Sequence, residues 1–339
     1  MPEQKNTLLI SQDEMLTVFS NVLLKAGFTE TKAKQCAGIF TASSADGVYT
    51  HGVNRFPAFV DYIKKGYVQP DAEPEFKNKF GAIEQWDGKL GPGPLNAIIA
   101  TERAMHLSGE TGIGCVTLSN TNHWMRGGTY GWHAAKAGYL FIGFTNTIAN
   151  MPAWGAIDRK LGNNPLVIAL PYKDEAIVLD MAMSQYSFGA LQQAKMKNEK
   201  LSVHGGFDSN GNLTNDPAAV LASKRLLAAG YWKGAGLALL LDILAVILSG
   251  GSATHEISKK EIENGLSQVF IAIDISKLGS QSTITRIVED IIRDYHQSVA
   301  ADSANKILYP GERVLETRRR NLQNGIPVIK QVWENILKL

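Results

Sequence analysis

Residues 81–96 read GAIEQWDGKLGPGPLN. Ala82-Ile83-Glu84-Gln85-Trp86 has the character of a short strand, and Asp87-Gly88 is a turn that ends it. The next residues decide the fold class. A Rossmann unit follows its first strand with Gly-x-Gly-x-x-Gly, whose backbone N–H groups receive a pyrophosphate. Here the chain has Gly91-Pro92-Gly93-Pro94-Leu95-Asn96. The third glycine is missing, and two prolines remove N–H donors. The stretch reads as a rigid turn, so a standard dinucleotide fold has no local support. Walker A, HExxH and GxSxG sequences are also absent, which leaves a standard hydrolase or P-loop reading equally unsupported.

Upstream, the chain reads as helical. Ser11-Gln12-Asp13-Glu14 has the spacing of a capping box. Behind it Met15, Phe19, Val22, Leu23 and Leu24 recur at helical intervals as far as Gly27. A second helix is expected from about Thr31 to Ser44. A third is expected near Pro57, with Phe59, Val60 and Ile63 on one face, proline suiting a first helical turn. Downstream, strands and helices alternate. Leu95–Leu107 and Trp132–Ala137 read as helices. Gly114–Leu118, Leu140–Thr145, Leu166–Leu170, Ala176–Met181 and Val269–Asp274 read as strands. Beyond Ser282, Arg286, Ile287, Ile291 and Ile292 restore the helical spacing. Alternation of this kind defines an α/β protein. The reading divides the chain into a helical segment over 1–75, a mixed α/β core over 76–285, and C-terminal helices over 286–339 that pack back on the core.

Composition narrows the function. The 339 residues include 34 Lys+Arg and 32 Asp+Glu, for a net charge of +2. No basic field is available for nucleic acid or a membrane surface. The dense cluster Arg318-Arg319-Arg320 reads as a solvated helix face. The apolar run Gly234–Leu248, interrupted by Asp242, falls short of the ~20 residues of a membrane span and reads as a buried helix. The cysteines, Cys36 and Cys115, lack the spacing of a disulfide framework or zinc site. With no basic-then-apolar leader, they point to a reducing cytoplasm. Leu201–Pro217 is a long polar connection of the kind that is functional or disordered. Asp208, Asn210 and Asn212 fail the calcium-loop pattern at its Gly and Glu positions, and no metal is expected.

Polar residues gather in six glycine- or turn-rich places. In Tyr49-Thr50-His51-Gly52-Val53-Asn54-Arg55, a histidine suited to proton transfer precedes a potential carboxylate fork by four residues. Helical spacing would put both on one face. The plainer reading is a structural histidine and a surface arginine. In Asn120–Gly128, Asn122, His123 and Arg126 supply donors beyond a strand end. The paired Gly127-Gly128 would let a ligand approach the backbone, while Trp124 and Met125 read as packing. Pro152–Gly155 and Gly162–Pro165 are turn residues first. Asp180 follows an apolar strand, needs a partner if buried, and could orient a catalytic histidine. Gly230–Gly236 opens the apolar helix with Lys233 placed for an anion. Tyr309-Pro310-Gly311-Glu312-Arg313 is a charged turn.

Taken in order, His51–Pro57, Asn122–Gly128 and Gly230–Gly234 resemble the malate/L-lactate dehydrogenase family, which lacks a Rossmann fold. Gly81–Asp87, Gly205–Asp208 and Ser267–Ile273 extend the likeness from about Met15 to Leu337. The resemblance implies a mixed-sheet nicotinamide-binding core flanked by terminal helices. It also implies interconversion of 2-oxo and 2-hydroxy acids, and a homodimer or larger assembly with sites near the subunit contact. It makes His51 the proton donor. It assigns cofactor contacts to Ala176, Ile177, Val178, Leu179, Asp180, Met181 and Ala182, to Trp232 and Lys233, and to Gly311, Glu312 and Arg313. NADH is the expected donor, with NADPH as the alternative. On this reading Asp180 holds the His51 ring in its charged form, Arg55 grips the substrate carboxylate, and His123 offers a further donor. Thr50 stands where the family has Ser, Asn163 where it has Thr, and Gly311-Glu312-Arg313 where relatives carry Gly-His-Glu. Asn54 and Asn122 suit a polar, polyhydroxylated sugar acid. Malate, lactate, ureidoglycolate and a cyclic imine acid are the alternatives within the family. An inactive binding protein or a hydrolase built on Thr50 and His51 are the alternatives outside it.

Overall fold

The computed structural model describes residues 6–260, 262–302 and 306–339. A seven-stranded sheet runs in the order Glu75–Phe80, Ile83–Asp87, Ile113–Thr121, Leu266–Asp274, Tyr139–Thr145, Leu166–Tyr172, Glu175–Met181. Only Ile83–Asp87 and Ile113–Thr121 pair in parallel; the other neighbours are antiparallel. A doubly wound Rossmann sheet is mostly parallel, so the fold departs from it as the missing fingerprint implies. The order also places a late strand centrally. Leu266–Asp274 lies between Ile113–Thr121 and Tyr139–Thr145, with Leu266 opposite Thr121.

One face of the sheet packs against Gly93–Thr111 and Gly128–Lys136, around Trp124, Tyr130, Phe141 and Phe270. Pro92 caps the first of these helices, and Asn96 ties the preceding turn to the strand end by donating to Gly88 O (2.8 Å) and Thr121 Oγ1 (2.9 Å). The glycine–proline stretch is therefore a structural turn. The other face carries Trp232–Ser249. Cys36 and Cys115 are free and buried.

The apolar helix differs from expectation. Its small residues Gly234, Ala235, Ala238 and Ala245, with Leu241, face the sheet. Its large ones do not: Leu240 is 55% and Ile247 69% exposed. It is the one helix among the described residues long and apolar enough to cross a membrane by length and composition. A helix apolar all round buries one side here and presents the other.

The N-terminal helices Gln12–Lys25, Glu30–Ala45 and Phe56–Lys64 form a separate core. Ser11 caps the first by accepting from Glu14 N–H (3.1 Å). Phe19 stacks on Phe56 at 4.0 Å, and Phe40 meets the same ring edge-on at 5.2 Å. Ile326, Val328, Trp333 and Ile336 from the far end of the chain complete this core, and strand Thr7–Ile10 pairs with Ile326–Ile329. The C-terminal segment thus packs on the N-terminal helices as well as on the sheet, where Leu315 joins the core. Leu201–Pro217 contains a small hairpin, Gly206–Phe207 with Leu213–Thr214. Asp208 there accepts the N–H groups of Asn210 and Asn212 (2.9 Å each), closing the turn with its own carboxylate.

Candidate active site

His51 ends a short turn of 3₁₀ helix, Tyr49–His51, directly after helix Glu30–Ala45. Ser44 of that helix holds the backbone just beyond His51. Its Oγ accepts from Val53 N–H (2.8 Å) and donates to Phe40 O (2.8 Å). A Cβ on Gly52 would sit 2.3 Å from that Oγ, so the residue after His51 has no room for a side chain. Arg55 then caps Phe56–Lys64, a helix anchored by buried Phe56 and Phe59. Truncating such an aromatic costs about 3–5 kcal/mol, so the backbone under Arg55 is firmly held. His51 and Arg55 project from a turn and a helix start, and not from one helical face.

His123 lies two residues beyond the strand Ile113–Thr121. Its Nδ1 accepts the N–H of Met125 at 2.9 Å. The hydrogen-bond pattern assigns the neutral ring's proton to Nε2. Burial pushes the His123 pKa well below the ordinary histidine value, and the Arg55 and His51 charges push the same way. His51 and His123 stack with ring centroids 5.8 Å apart. Arg55, His123 and Asn122 line one small pocket with Phe59, Tyr62 and Glu263. Asn122 donates its amide to three backbone carbonyls, those of Tyr67, Leu90 and Gly91. Its Oδ1 is buried without a partner. Asn54 is exposed. Trp124 and Met125 are core residues.

Burial also lowers the His51 pKa. Asp180 opposes that shift, while Arg55 and Arg126 reinforce it. Burial and the two arginines thus disfavour the charged ring that the sequence reading expects of His51, and Asp180 favours it. Thr50 Oγ1 lies 3.2 Å from His51 Nδ1. Asp180 Oδ2 accepts Gly128 N–H at 2.8 Å and sits 4.0 Å from Arg126 Nε. Its pull on His51 is through space. A Cβ on Gly128 would meet Asp180 Oδ2 at 2.8 Å, so the paired glycines admit this carboxylate to the backbone.

Arg126 is itself buried and bonded to Asp46, the residue that ends helix Glu30–Ala45. An acid at a helix C-terminus opposes the helix dipole. A second guanidinium compensates: Arg318 donates to Asp46 from Nε (2.5 Å) and Nη2 (2.9 Å) and lies over the Trp132 ring. Arg318 is thus not a solvated face residue; only Arg319 and Arg320 of the cluster are exposed. Asn163 and Asn164 bind Thr147, and Asn164 also donates to Ala238 O, so that turn is scaffold.

The predicted cofactor stretches lie close to one another. Val178 N–H donates to Pro310 O (3.0 Å), and a Cβ on Gly311 would come within 3.2 Å of the Val178 backbone. Ala229 N–H donates to Met183 O (2.8 Å), and Ser184 bridges to Ala228, which brings Trp232 and Lys233 toward the end of the same strand. Ser184 Oγ is buried there without a partner, and the Trp232 ring is exposed. Glu312 accepts from Tyr309 N–H and contacts His296 Nε2, each at 3.0 Å. A backbone cradle, an unsatisfied hydroxyl, an open aromatic face and a lysine fit a dinucleotide.

Glu263 is the site residue with no signal in the sequence reading. It belongs to no motif and lies in an irregular stretch. The strand pairing of Leu266 with Thr121 brings it beside His123.

A small pocket lined by Arg55, Asn122 and His123, on a largely antiparallel sheet, fits a dehydrogenase without a Rossmann fold. The chain belongs to the malate/L-lactate dehydrogenase family, whose pattern matches residues 10–337. It is 43% identical over 331 residues to the 2,3-diketo-L-gulonate reductase of Pasteurella multocida, covering 97% of this chain and 99% of that one. It is 41% identical to the protein of that name from Klebsiella pneumoniae, with the same coverage. Malate dehydrogenase from Pyrococcus horikoshii OT3 superposes with a TM-score of 0.89 at 29% identity, covering 99% of this chain and 96% of that one. Malate dehydrogenase from Entamoeba histolytica superposes at 0.92 with 25% identity, covering 98% and 97%. The protein is an oxidoreductase acting on a hydroxy or oxo group of a small acid, and its family implies a nicotinamide cofactor.

Proposed function

We propose that this protein reduces a 2-oxo sugar acid, 2,3-diketo-L-gulonate to 3-dehydro-L-gulonate, with NADH as preferred donor and NADPH as the alternative. The observation that carries the reading is the meeting of His51, His123 and Arg55 in one partly buried site beside the cofactor cradle. The names of the relatives at 40–43% identity supply the substrate.

Arg55 binds the substrate carboxylate through its planar fork. The bound nicotinamide supplies hydride to the C2 carbonyl carbon. Negative charge grows on the carbonyl oxygen, and His51 donates a proton to it. The proton arrives at the right stage of the cycle for an electrostatic reason. In the free site Arg55 disfavours a charged His51. A carboxylate on Arg55 offsets that effect, which leaves Asp180 opposed only by burial and Arg126. The Thr50 hydroxyl engages Nδ1, which leaves Nε2 for the substrate oxygen. Neutral His123 donates from Nε2 and does not compete as the acid.

We also propose that the protein works as a cytoplasmic homodimer through the outward face of Trp232–Ser249. An apolar strip of this kind marks an interaction surface, and its own N-terminus carries Trp232 and Lys233 of the cofactor cradle. The function is tested by NADH and NADPH oxidation over 2,3-diketo-L-gulonate, pyruvate, oxaloacetate and a cyclic imine acid. Highest kcat/KM with diketogulonate is expected. Preference for another acid would overturn the substrate, and no turnover on any would overturn the enzyme.

A further inference from the structure

Glu263 lines the pocket, and one of its two carboxyl oxygens is committed. Oε2 accepts Ile148 N–H at 2.9 Å. Oε1 faces His123 Nε2 at 4.0 Å, too far for a hydrogen bond. The polarity of that gap is fixed at the His123 end. Met125 N–H occupies His123 Nδ1, so Nε2 carries a hydrogen, and Oε1 offers an acceptor. A group at about 2.8 Å from each atom spans the gap if it accepts on one side and donates on the other. An alcohol does both. Asn122 lines the same pocket, and its buried Oδ1 has no partner. Arg55 lines the same pocket and is left for the substrate's own carboxylate.

We propose that Glu263, with His123 and Asn122, is a hydroxyl-reading subsite that selects 2-oxo acids with a hydroxylated chain. This rests on the 2-oxo acid reading above and names which member of that class the pocket takes. Glu263 is a specificity residue, and it takes no part in hydride or proton transfer.

The test compares wild type with Glu263→Ala and Glu263→Gln. The first readout is the ratio of kcat/KM for 2,3-diketo-L-gulonate over pyruvate. Loss of a hydrogen bond to an ionisable group lowers that ratio about tenfold or more in Glu263→Ala, mainly through KM. A ratio within twofold of wild type would overturn the proposal. If Glu263→Ala does not fold, the near-isosteric Glu263→Gln decides. Its amide oxygen still serves Ile148, while its NH2 puts a donor where Oε1 accepted, so the same ratio falls about tenfold; no fall overturns the proposal. Calorimetric binding of L-gulonate and L-lactate to the NAD-loaded protein separates the two claims. A Glu263-dependent preference for gulonate without turnover of any 2-oxo acid would end the reductase reading and leave the subsite standing. Turnover with no such preference would do the reverse.

Discussion

The imidazole rings of His51 and His123 lie face to face, with centroids 5.8 Å apart and planes inclined by 19°. Two charged rings at this separation repel each other, so one proton serves the pair. His123 Nδ1 already accepts from Met125, and its burial is the deeper. We therefore propose that His51, and not His123, is the member of the pair that donates the proton. Replacing His123 by Gln, which keeps a donor, is expected to lower kcat/KM less than tenfold. A loss as large as that of a His51 variant would show that the roles are exchanged. Steady-state kinetics on the two variants decides this.

Helix Phe188–Met196 presses on Thr50. A Cβ on Gly189 would lie 2.5 Å from Thr50 Cγ2. Gly189→Ala is expected to push the Thr50 hydroxyl off His51 Nδ1 and reduce kcat about tenfold. Adding Thr50→Ser removes the clashing methyl and keeps the hydroxyl, so the double variant recovers activity. A double variant no better than Gly189→Ala would contradict the Thr50–His51 contact.

The pH dependence is set by the charges around His51. Reduction needs the charged ring, so kcat/KM for reduction falls as pH rises through the His51 pKa. That midpoint lies below the ordinary histidine value because burial, Arg55 and Arg126 outweigh Asp180. Oxidation of the hydroxy acid needs the neutral ring and rises through the same midpoint. Asp180→Asn removes the one charge that raises the pKa, and moves both midpoints to lower pH. A midpoint unmoved in Asp180→Asn would remove Asp180 from the account.

Ile247, 69% exposed, sits on the outward face of the apolar helix. A charge there is expected to disfavour burial of that face. Light scattering should find the wild type as a dimer and Ile247→Glu as a monomer. A monomeric wild type would contradict the homodimer.

Much of this was legible from sequence because its signals are local. Tyr139–Thr145, Leu166–Tyr172 and Glu175–Met181 are apolar runs buried against helices, and such runs declare themselves. The edge strand Glu75–Phe80 is exposed throughout and carries no such pattern. Strands Thr7–Ile10 and Ile326–Ile329 pair from opposite ends of the chain, a contact no local window contains. The site divides in the same way. His51, Arg55 and His123 stand in glycine-punctuated turns that advertise them. Glu263 is invisible until the insertion of Leu266–Asp274 beside Ile113–Thr121 carries it to His123. Arg318 looked solvated because its partner, Asp46, lies 272 residues away.

The central claim is that His51 supplies the proton for reduction of a 2-oxo sugar acid. The direct measurement is NADH oxidation with 2,3-diketo-L-gulonate by wild type and His51→Ala, with NADH affinity measured in parallel. The account predicts a folded variant that binds NADH as wild type does and turns over at least ~100-fold more slowly. Near-normal turnover by folded His51→Ala would contradict it.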